Sequence, residues 1–151
     1  MAFQIKKNPE LIAICGTGSG WNLLPFQSDH TIYCLNDYVR IEKYQVQPDI
    51  LFISNKRLDI IKDAAIMGSP DLIIEIVSPS SASYDTIEKR DVYEKYGVKE
   101  YWLVFPQEKA VEVLAIEKGI YKEFCKARKT GIVKSNVIEG ITVEIKEIFE
   151  G

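Results

Sequence analysis

The sequence predicts a mixed α/β domain, and two patterns in its 151 residues carry that prediction. From residue 31 onward, short apolar runs with a period of two are separated by turn residues, which is typical of β-strands. The segment after residue 83 follows helical spacing instead, and Gly97 is placed to end it. One helix among several strands indicates a mixed sheet with a flanking helix.

The strand pattern can be assigned segment by segment. We expect strands at residues 31–35, 38–41, 48–54, 70–77, 100–105, 110–116, 119–124 and 141–145, of which 110–116 and 119–124 form a hairpin. The run at 70–77 is apolar on both faces, which predicts a central strand. We expect a helix from residue 84 to about Tyr96, with Asp85 and Glu88 spaced as in a capping box. One further helical turn is expected around residues 63–67.

The first thirty residues carry less pattern. A glycine-rich segment at residues 16–20 follows an apolar run, but it lacks the lysine of a P-loop and a convincing helix after it. We therefore expect a plain turn there. His30 follows a polar stretch, and we expect it at the surface or in a loop.

The composition predicts one globular domain over residues 1–151. Hydrophobic residues make up 46% and charged residues 27%, which is the balance of an ordinary folded protein. No apolar run reaches the ~18 residues that span a bilayer, so we expect a cytoplasmic protein without a membrane partner. The net charge of −3 excludes a globally basic surface. Three dispersed cysteines and one histidine favour reduced thiols, and they leave carboxylate, lysine and tyrosine for chemistry.

Two charged residues stand in places where charge is unusual. Glu75 lies in the middle of the apolar run 70–77, where an unpaired carboxylate would lose several kcal/mol of solvation. Lys89 shares one helix face with Asp85, Tyr93 and Tyr96, and the two aromatic residues indicate that this face points inward. Glu75 therefore needs a partner, and Lys89 is placed to provide one. A buried ion pair that only holds the helix on the sheet explains both residues equally well.

Antiparallel pairing of 49–54 with 71–77 would add a second carboxylate. In that arrangement Asp49 lies diagonally across from Glu75, within ~7–8 Å on the same face. Asp71 lies ~13 Å away along the strand and is expected to be an edge or turn group. Two carboxylates and a lysine at one strand end suit Mg²⁺, with Mn²⁺ as a substitute, and phosphoryl transfer. Asp49 can equally be an ordinary strand-start residue, and Asp85 only a helix cap.

Four ordered blocks of the sequence resemble a known family. They are Pro-Asp at 48–49, the segment 70–80 with Glu75, the helix residues Asp85, Lys89 and Tyr93, and the segment 97–104. Together they resemble the Uma family of endonucleases in the PD-(D/E)XK nuclease superfamily, over about residues 28–149. The resemblance implies a restriction-endonuclease-like fold: a mixed β-sheet core with a flanking helix and a β-rich C-terminal part. It also implies a DNA substrate.

The resemblance implies roles for individual residues. Asp49 and Glu75 correspond to the two acidic residues of the motif and to its metal ligands, and Lys89 is the catalytic lysine. Val77 stands where the superfamily usually has lysine, so that lysine comes from the following helix. Asp85 and Tyr93 are candidates for supporting contacts. The N-terminal helix of the family is expected to be missing or reduced in this chain.

A basic run offers a candidate DNA contact outside the acidic site. Lys126, Arg128 and Lys129 are its centre, and a solvated hairpin face is the alternative explanation. The sequence thus predicts a Mg²⁺-dependent DNA endonuclease, with a homodimer compatible with cleavage of both strands. The competing hypothesis is a catalytically silent nuclease fold that binds DNA or acts in assembly. A third is a structural protein in which Glu75 and Lys89 form only an architectural pair.

Overall fold

The computed structural model describes residues 2–7, 10–16, 30–34, 39–62, 65–80 and 83–149. Its strands, in chain order, are β1 (Ala2–Lys7), β2 (Glu10–Gly16), β3 (His30–Cys34), β4 (Val39–Ile41), β5 (Tyr44–Val46), β6 (Ile50–Ser54), β7 (Ile66–Met67), β8 (Leu72–Ile76), β9 (Glu100–Phe105), β10 (Ala110–Glu117), β11 (Ile120–Arg128), β12 (Ile132–Lys134) and β13 (Ile141–Glu144). The α-helices are α1 (Lys89–Lys95) and α2 (Ile145–Phe149). A 3₁₀ segment covers Asn55–Ile60, and a π-helical turn, Tyr84–Glu88, leads into α1.

A mixed six-stranded sheet organises the described residues, in the order β11-β10-β9-β8-β6-β3. Its neighbours are antiparallel except β8 and β9, which run parallel and are joined through α1. A parallel pair needs such a crossover, because a tight turn can only reverse the chain. Two smaller sheets accompany it, one of order β12-β13-β1-β2 and one of order β5-β4-β7.

Apolar clusters cover both faces of the central strands. The Trp102 core comprises Ile50, Phe52, Leu72, Ile74, Trp102, Val104, Val111, Val113, Val133, Ile138, Ile141, Val143, Ile145 and Ile148. The Tyr93 core, on the opposite face, comprises Val39, Ile41, Val46, Leu51, Ile53, Ile66, Ile73, Val77, Tyr93, Val98, Tyr101, Leu103, Leu114 and Tyr121. Because alternate residues of β6 and β8 enter different cores, both strands are apolar on both faces apart from Ser54 and Glu75, as in sheets covered on two sides. Any charge in these strands is therefore forced into the interior.

The end of α1 is fixed by a glycine turn. Gly97 has φ of +76°, and its N–H donates to the carbonyl of Glu94 while Val98 N donates to the carbonyl of Tyr93. These two bonds are those of a Schellman motif, which needs the left-handed conformation that glycine adopts without a steric cost. The predicted helix end at this residue is confirmed. The turn returns the chain directly into β9.

Most of the predicted strands are present, and two expectations are wrong. Ile145 begins α2 instead of extending the last strand, and the helical segment between β6 and β8 is Asn55–Ile60, with Ile66–Met67 forming β7. The backbone of His30 belongs to β3, and its side chain lies outside the described residues. The expected turn at residues 16–20 lies outside the described residues except for Gly16, which ends β2. None of the helices in the described ranges is long and apolar enough to cross a membrane.

Asp71, at the start of β8, is a buried acid with a structural role. Its carboxylate is 1% exposed and accepts hydrogen bonds from Ser54 N at 2.7 Å and Lys99 Nζ at 3.1 Å, while Arg57 lies 3.1 Å away. Burial raises the pKa of Asp71, but these hydrogen bonds and the two cations outweigh burial and hold its pKa below the usual value. The carboxylate thus joins β6, the 3₁₀ segment and β9 at one end of the sheet.

Asp71→Asn should lower the free energy of unfolding at neutral pH by about 1–3 kcal/mol, because the amide nitrogen would face a hydrogen-bond donor. The pKa of Asp71 is lowered by folding, so the stabilisation is complete above the unfolded pKa of ~3.9 and is lost as the pH falls through the folded value. Urea unfolding at pH 7 and at pH 3 measures the difference in free energy of unfolding between the wild type and Asp71→Asn. That difference should be smaller at pH 3. The exposed Asp59, changed to Asn, serves as the control. Equal losses at both pH values, or in both variants, would contradict the assignment.

Candidate active site

The strand register brings Asp49 and Glu75 together. β6 and β8 pair antiparallel with Ile50 opposite Ile74, so the next step of the ladder places Asp49 opposite Glu75. Directly opposed residues on antiparallel strands point to the same face with Cβ atoms ~4.5–5.5 Å apart. Continuing the register by one residue thus puts Asp49 directly across from Glu75 instead of in the diagonal placement expected from the sequence. We call this edge of the sheet, where β6 begins and β8 and β9 end, the Glu75 end.

Glu75 is buried and bonded to two residues of α1. Its carboxylate is 2% exposed, and Oε1 accepts hydrogen bonds from Lys89 Nζ and Tyr93 Oη, each at 3.0 Å. Both donors lie on the same helix face, four residues apart, as the sequence predicted. Tyr93 is itself fully buried and packs edge-on against Tyr101, with ring centroids 5.0 Å apart. Packing against Tyr101 in the Tyr93 core therefore fixes the position of the Tyr93 donor.

Asp49 lies on the solvent side of Glu75. It is exposed, and its Oδ2 accepts a hydrogen bond of 2.7 Å from the backbone N–H of Ile76, next to Glu75. The side chain thereby takes the place of a strand carbonyl just before β6 begins. This contact orients the carboxylate toward the end of β8. Asp49 and Glu75 together form a pair that extends from the surface into the interior.

The remaining predicted residues fall into two groups. Asp85 belongs to the π-helical turn before α1, and its side chain lies outside the described residues. Lys126 and Arg128 lie on β11 and Lys129 follows it, all exposed. Since Cys125 and Ala127 pack against the Trp102 core, the alternating side chains of Lys126 and Arg128 point to the opposite face, which is that of Glu75. The basic residues therefore share a sheet face with the acidic pair.

The donor set suits a hard divalent cation. Mg²⁺ takes oxygen ligands, and one or two protein carboxylates suffice because water and phosphate oxygens complete its shell. A carboxylate offers about four acceptor positions, so Glu75 and Asp49 can hold a cation and still accept their hydrogen bonds. Among the described residues, no group of three or more His, Cys, Asp or Glu side chains is arranged to hold a metal ion. Asp49 and Glu75 fit an ion that is shared with a substrate.

Comparison with family models now identifies the chain. Residues 19–145 match the model described as "Uma2: Putative restriction endonuclease". The chain belongs to the Uma2 family. A solved structure described as "a putative nuclease belonging to DUF820 from Anabaena variabilis ATCC 29413" is 20% identical, with a TM-score of 0.64 over 81% of this chain and 69% of that one. No match was found among curated proteins.

These matches confirm the predicted fold and family. The mixed sheet with α1 on one face is the restriction-endonuclease-like α/β fold that the Uma resemblance implied. Family and structural neighbour both carry nuclease descriptions.

One basic residue near the site does not stand out in the sequence. Lys109 lies in the turn between β9 and β10, remote in sequence from the run around Arg128. The β10–β11 register pairs Ala110 with Arg128, and Lys129 N donates to the carbonyl of Lys109 at 2.7 Å. The predicted hairpin could have revealed this contact. Continuing its strand pairing from the turn at residues 118–119 to the far end of both strands brings Lys109 next to Lys129.

Lys89→Met should lower the free energy of unfolding by about 3–5 kcal/mol, because it leaves the buried carboxylate of Glu75 without its cation. Adding Glu75→Gln should restore most of that stability, since the charge is gone while the amide oxygen still accepts from Tyr93. Chemical denaturation of the three proteins measures the effect.

Lys95→Met is the matched control, because Lys95 is exposed on the same helix and its Nζ lies 5.3 Å from the centroid of the Tyr96 ring. It should cost no more than about 1 kcal/mol. A Lys89→Met protein as stable as the Lys95→Met protein would contradict the buried pair.

Proposed function

We propose that this protein is a Mg²⁺-dependent DNA endonuclease that hydrolyses phosphodiester bonds at Asp49, Glu75 and Lys89. One observation carries the proposal: a buried glutamate bonded to a lysine and a tyrosine lies in register with an exposed aspartate at a strand end. A purely structural ion pair requires no second acid on its solvent side. A phosphodiester site that binds a divalent cation can use one as a second metal ligand, at a position that the substrate reaches from solvent.

The roles follow from position. Asp49 and Glu75 would hold Mg²⁺ or Mn²⁺, which supplies Lewis-acid polarisation of the phosphate when bound. The attacking water, oriented by Glu75 or by Lys89 Nζ, forms the new P–O bond and loses a proton to Glu75 or to solvent. The bond to the leaving sugar oxygen breaks, and that oxygen takes up a proton from solvent. Lys89 also places positive charge where the phosphate gains negative charge. Tyr93 keeps the carboxylate of Glu75 oriented through its hydrogen bond.

DNA is the substrate that the basic residues support. Arg128 and Lys129 are exposed beyond the acidic pair and supply the positive charge that a net-acidic protein needs near a phosphate backbone. Lys126 is bonded to Glu123 at 3.2 Å, so it would exchange that partner for a phosphate. Two copies related by a two-fold axis would cut both strands.

Wild-type protein should nick supercoiled plasmid in the presence of Mg²⁺ or Mn²⁺, and Glu75→Gln should reduce the rate by about 10²–10⁴. The amide oxygen keeps an acceptor for Lys89 and Tyr93, and the free energy of unfolding of Glu75→Gln, measured in parallel, separates loss of the charge from loss of the fold. Asp49→Ala should show a similar reduction. Gel quantification of nicked plasmid over time measures the rates.

Glu144→Gln is the control, because Glu144 is exposed on β13, outside the six-stranded sheet, and should leave nicking unchanged. Nicking that survives Glu75→Gln would place the activity elsewhere or in a contaminant. No nicking by wild type, with an active Uma2 relative in the same assay, would favour the silent DNA-binding or assembly protein.

A further inference from the structure

A second feature of the Glu75 end is an open cleft of about 330 Å³. It lies where the turn between β9 and β10 meets the end of β11, and it is lined by Gln107, Glu108, Lys109, Arg128, Lys129 and Thr130. Three cations thus face one carboxylate around a single concavity. Concave clusters of cations concentrate the field that attracts an anion.

The backbone holds two of these lysines in place. Lys109 and Lys129 both adopt left-handed conformations, with φ of +50° and +64°, and a backbone hydrogen bond joins them. Lys129 also precedes a second tight contact, in which Thr130 N donates to the carbonyl of Arg128 at 2.7 Å. Backbone hydrogen bonds at the end of the hairpin therefore define the position of the cleft.

The cations of the cleft differ from the other cations of the same hairpin. Lys122 lies 3.8 Å from Glu117, and Lys126 lies 3.2 Å from Glu123. Within the part of the chain that the structure describes, Lys109, Arg128 and Lys129 form no ion pair with a protein carboxylate. Their charge is therefore available to an anion from outside the protein.

The cleft shares both the end and the face of the sheet with Glu75. In register, Glu75 pairs with Leu103, Leu103 with Glu112, and Glu112 with Lys126. Arg128 lies two residues further along β11, toward the Glu75 end. β11 is three strand spacings from β8, which is ~14 Å. This is about four base-pair steps of a DNA duplex.

We propose that this cleft binds a backbone phosphate of the DNA substrate, several base pairs from the phosphate at Asp49 and Glu75. The inference rests on the proposed function for the identity of the anion. Arg128 offers a planar pair of donors to phosphate oxygens, and the two lysines add point charge. Such a contact carries no sequence information, so it positions the duplex along the sheet without selecting a site.

Binding of a short fluorescein-labelled duplex, measured by anisotropy without divalent metal over a range of salt concentrations, tests the proposal. The triple variant Lys109→Gln, Arg128→Gln, Lys129→Gln should bind at least about tenfold more weakly at low salt, and its salt slope should fall by ~0.9 for each phosphate that the variant no longer neutralises. The control removes three exposed lysines from the opposite end of the sheet: Lys56→Gln, Lys118→Gln, Lys122→Gln. It should retain the wild-type slope.

Equal slopes in the two triple variants would overturn the proposal, as would wild-type protein that does not bind the duplex. Binding of inorganic phosphate in the cleft with an unchanged DNA slope would also overturn it. If the triple variant does not fold, Lys109→Gln alone decides, because only the backbone of Lys109 takes part in the turn bond. Because the binding assay needs no cleavage, the two proposals fail in different ways. If the cleft proposal is wrong, the triple variant keeps the wild-type DNA binding; if the proposed function is wrong, the wild-type protein does not nick plasmid.

Discussion

The carboxylate of Glu75 is the constraint on which the rest of the site depends. It lies in a strand whose other residues are apolar on both faces, so the buried charge is stable only when hydrogen-bond donors contact it. α1 brings two, Lys89 and Tyr93, to the same oxygen. Satisfying this one carboxylate fixes the rotation of α1 over the sheet, and the glycine turn that follows then sets the start of β9.

The described residues contain other buried acids, and comparing them separates structural roles from functional ones. Asp71 is enclosed by Ser54 N, Lys99 and Arg57, which hold its pKa low. Glu100 accepts from Trp102 and from the backbone N–H groups of Asn136 and Val137, and burial raises its pKa. Both acids link segments that are distant in sequence through buried hydrogen bonds. Glu75 differs because its register neighbour is an exposed acid, Asp49, at the edge of the sheet.

Where local chemistry dictates structure, the sequence was sufficient. The apolar run around Glu75 predicted a central strand, helical spacing predicted that Lys89 and Tyr93 share a face, and Gly97 predicted the helix end. Asp49 was assigned as the partner of Glu75 because only antiparallel pairing of neighbouring strands brings them together. Each of these predictions used interactions between residues close in sequence or in consecutive strands.

Other features depend on contacts that no local pattern reveals. β1 pairs with β13 across most of the chain length, and β2, which pairs with β1, is a continuous apolar run without an alternating signal. Ile145 was assigned to a strand because it continues an alternating pattern, yet its burial in the Trp102 core is reached from a helix. Lys109 reaches Lys129 through the register of the whole β10–β11 hairpin, far from its turn. Longer-range pairing, rather than propensity, decided these cases.

The most direct test of the account is to locate the metal. Crystals of the wild-type protein soaked in Mn²⁺ should show an anomalous difference peak between the carboxylates of Asp49 and Glu75, at ordinary metal–oxygen distances of ~2.0–2.6 Å. Crystals of Asp49→Ala should lack it. Absence of this peak in the wild-type protein, or a peak only at other carboxylates, would contradict the assignment of Asp49 and Glu75 as metal ligands.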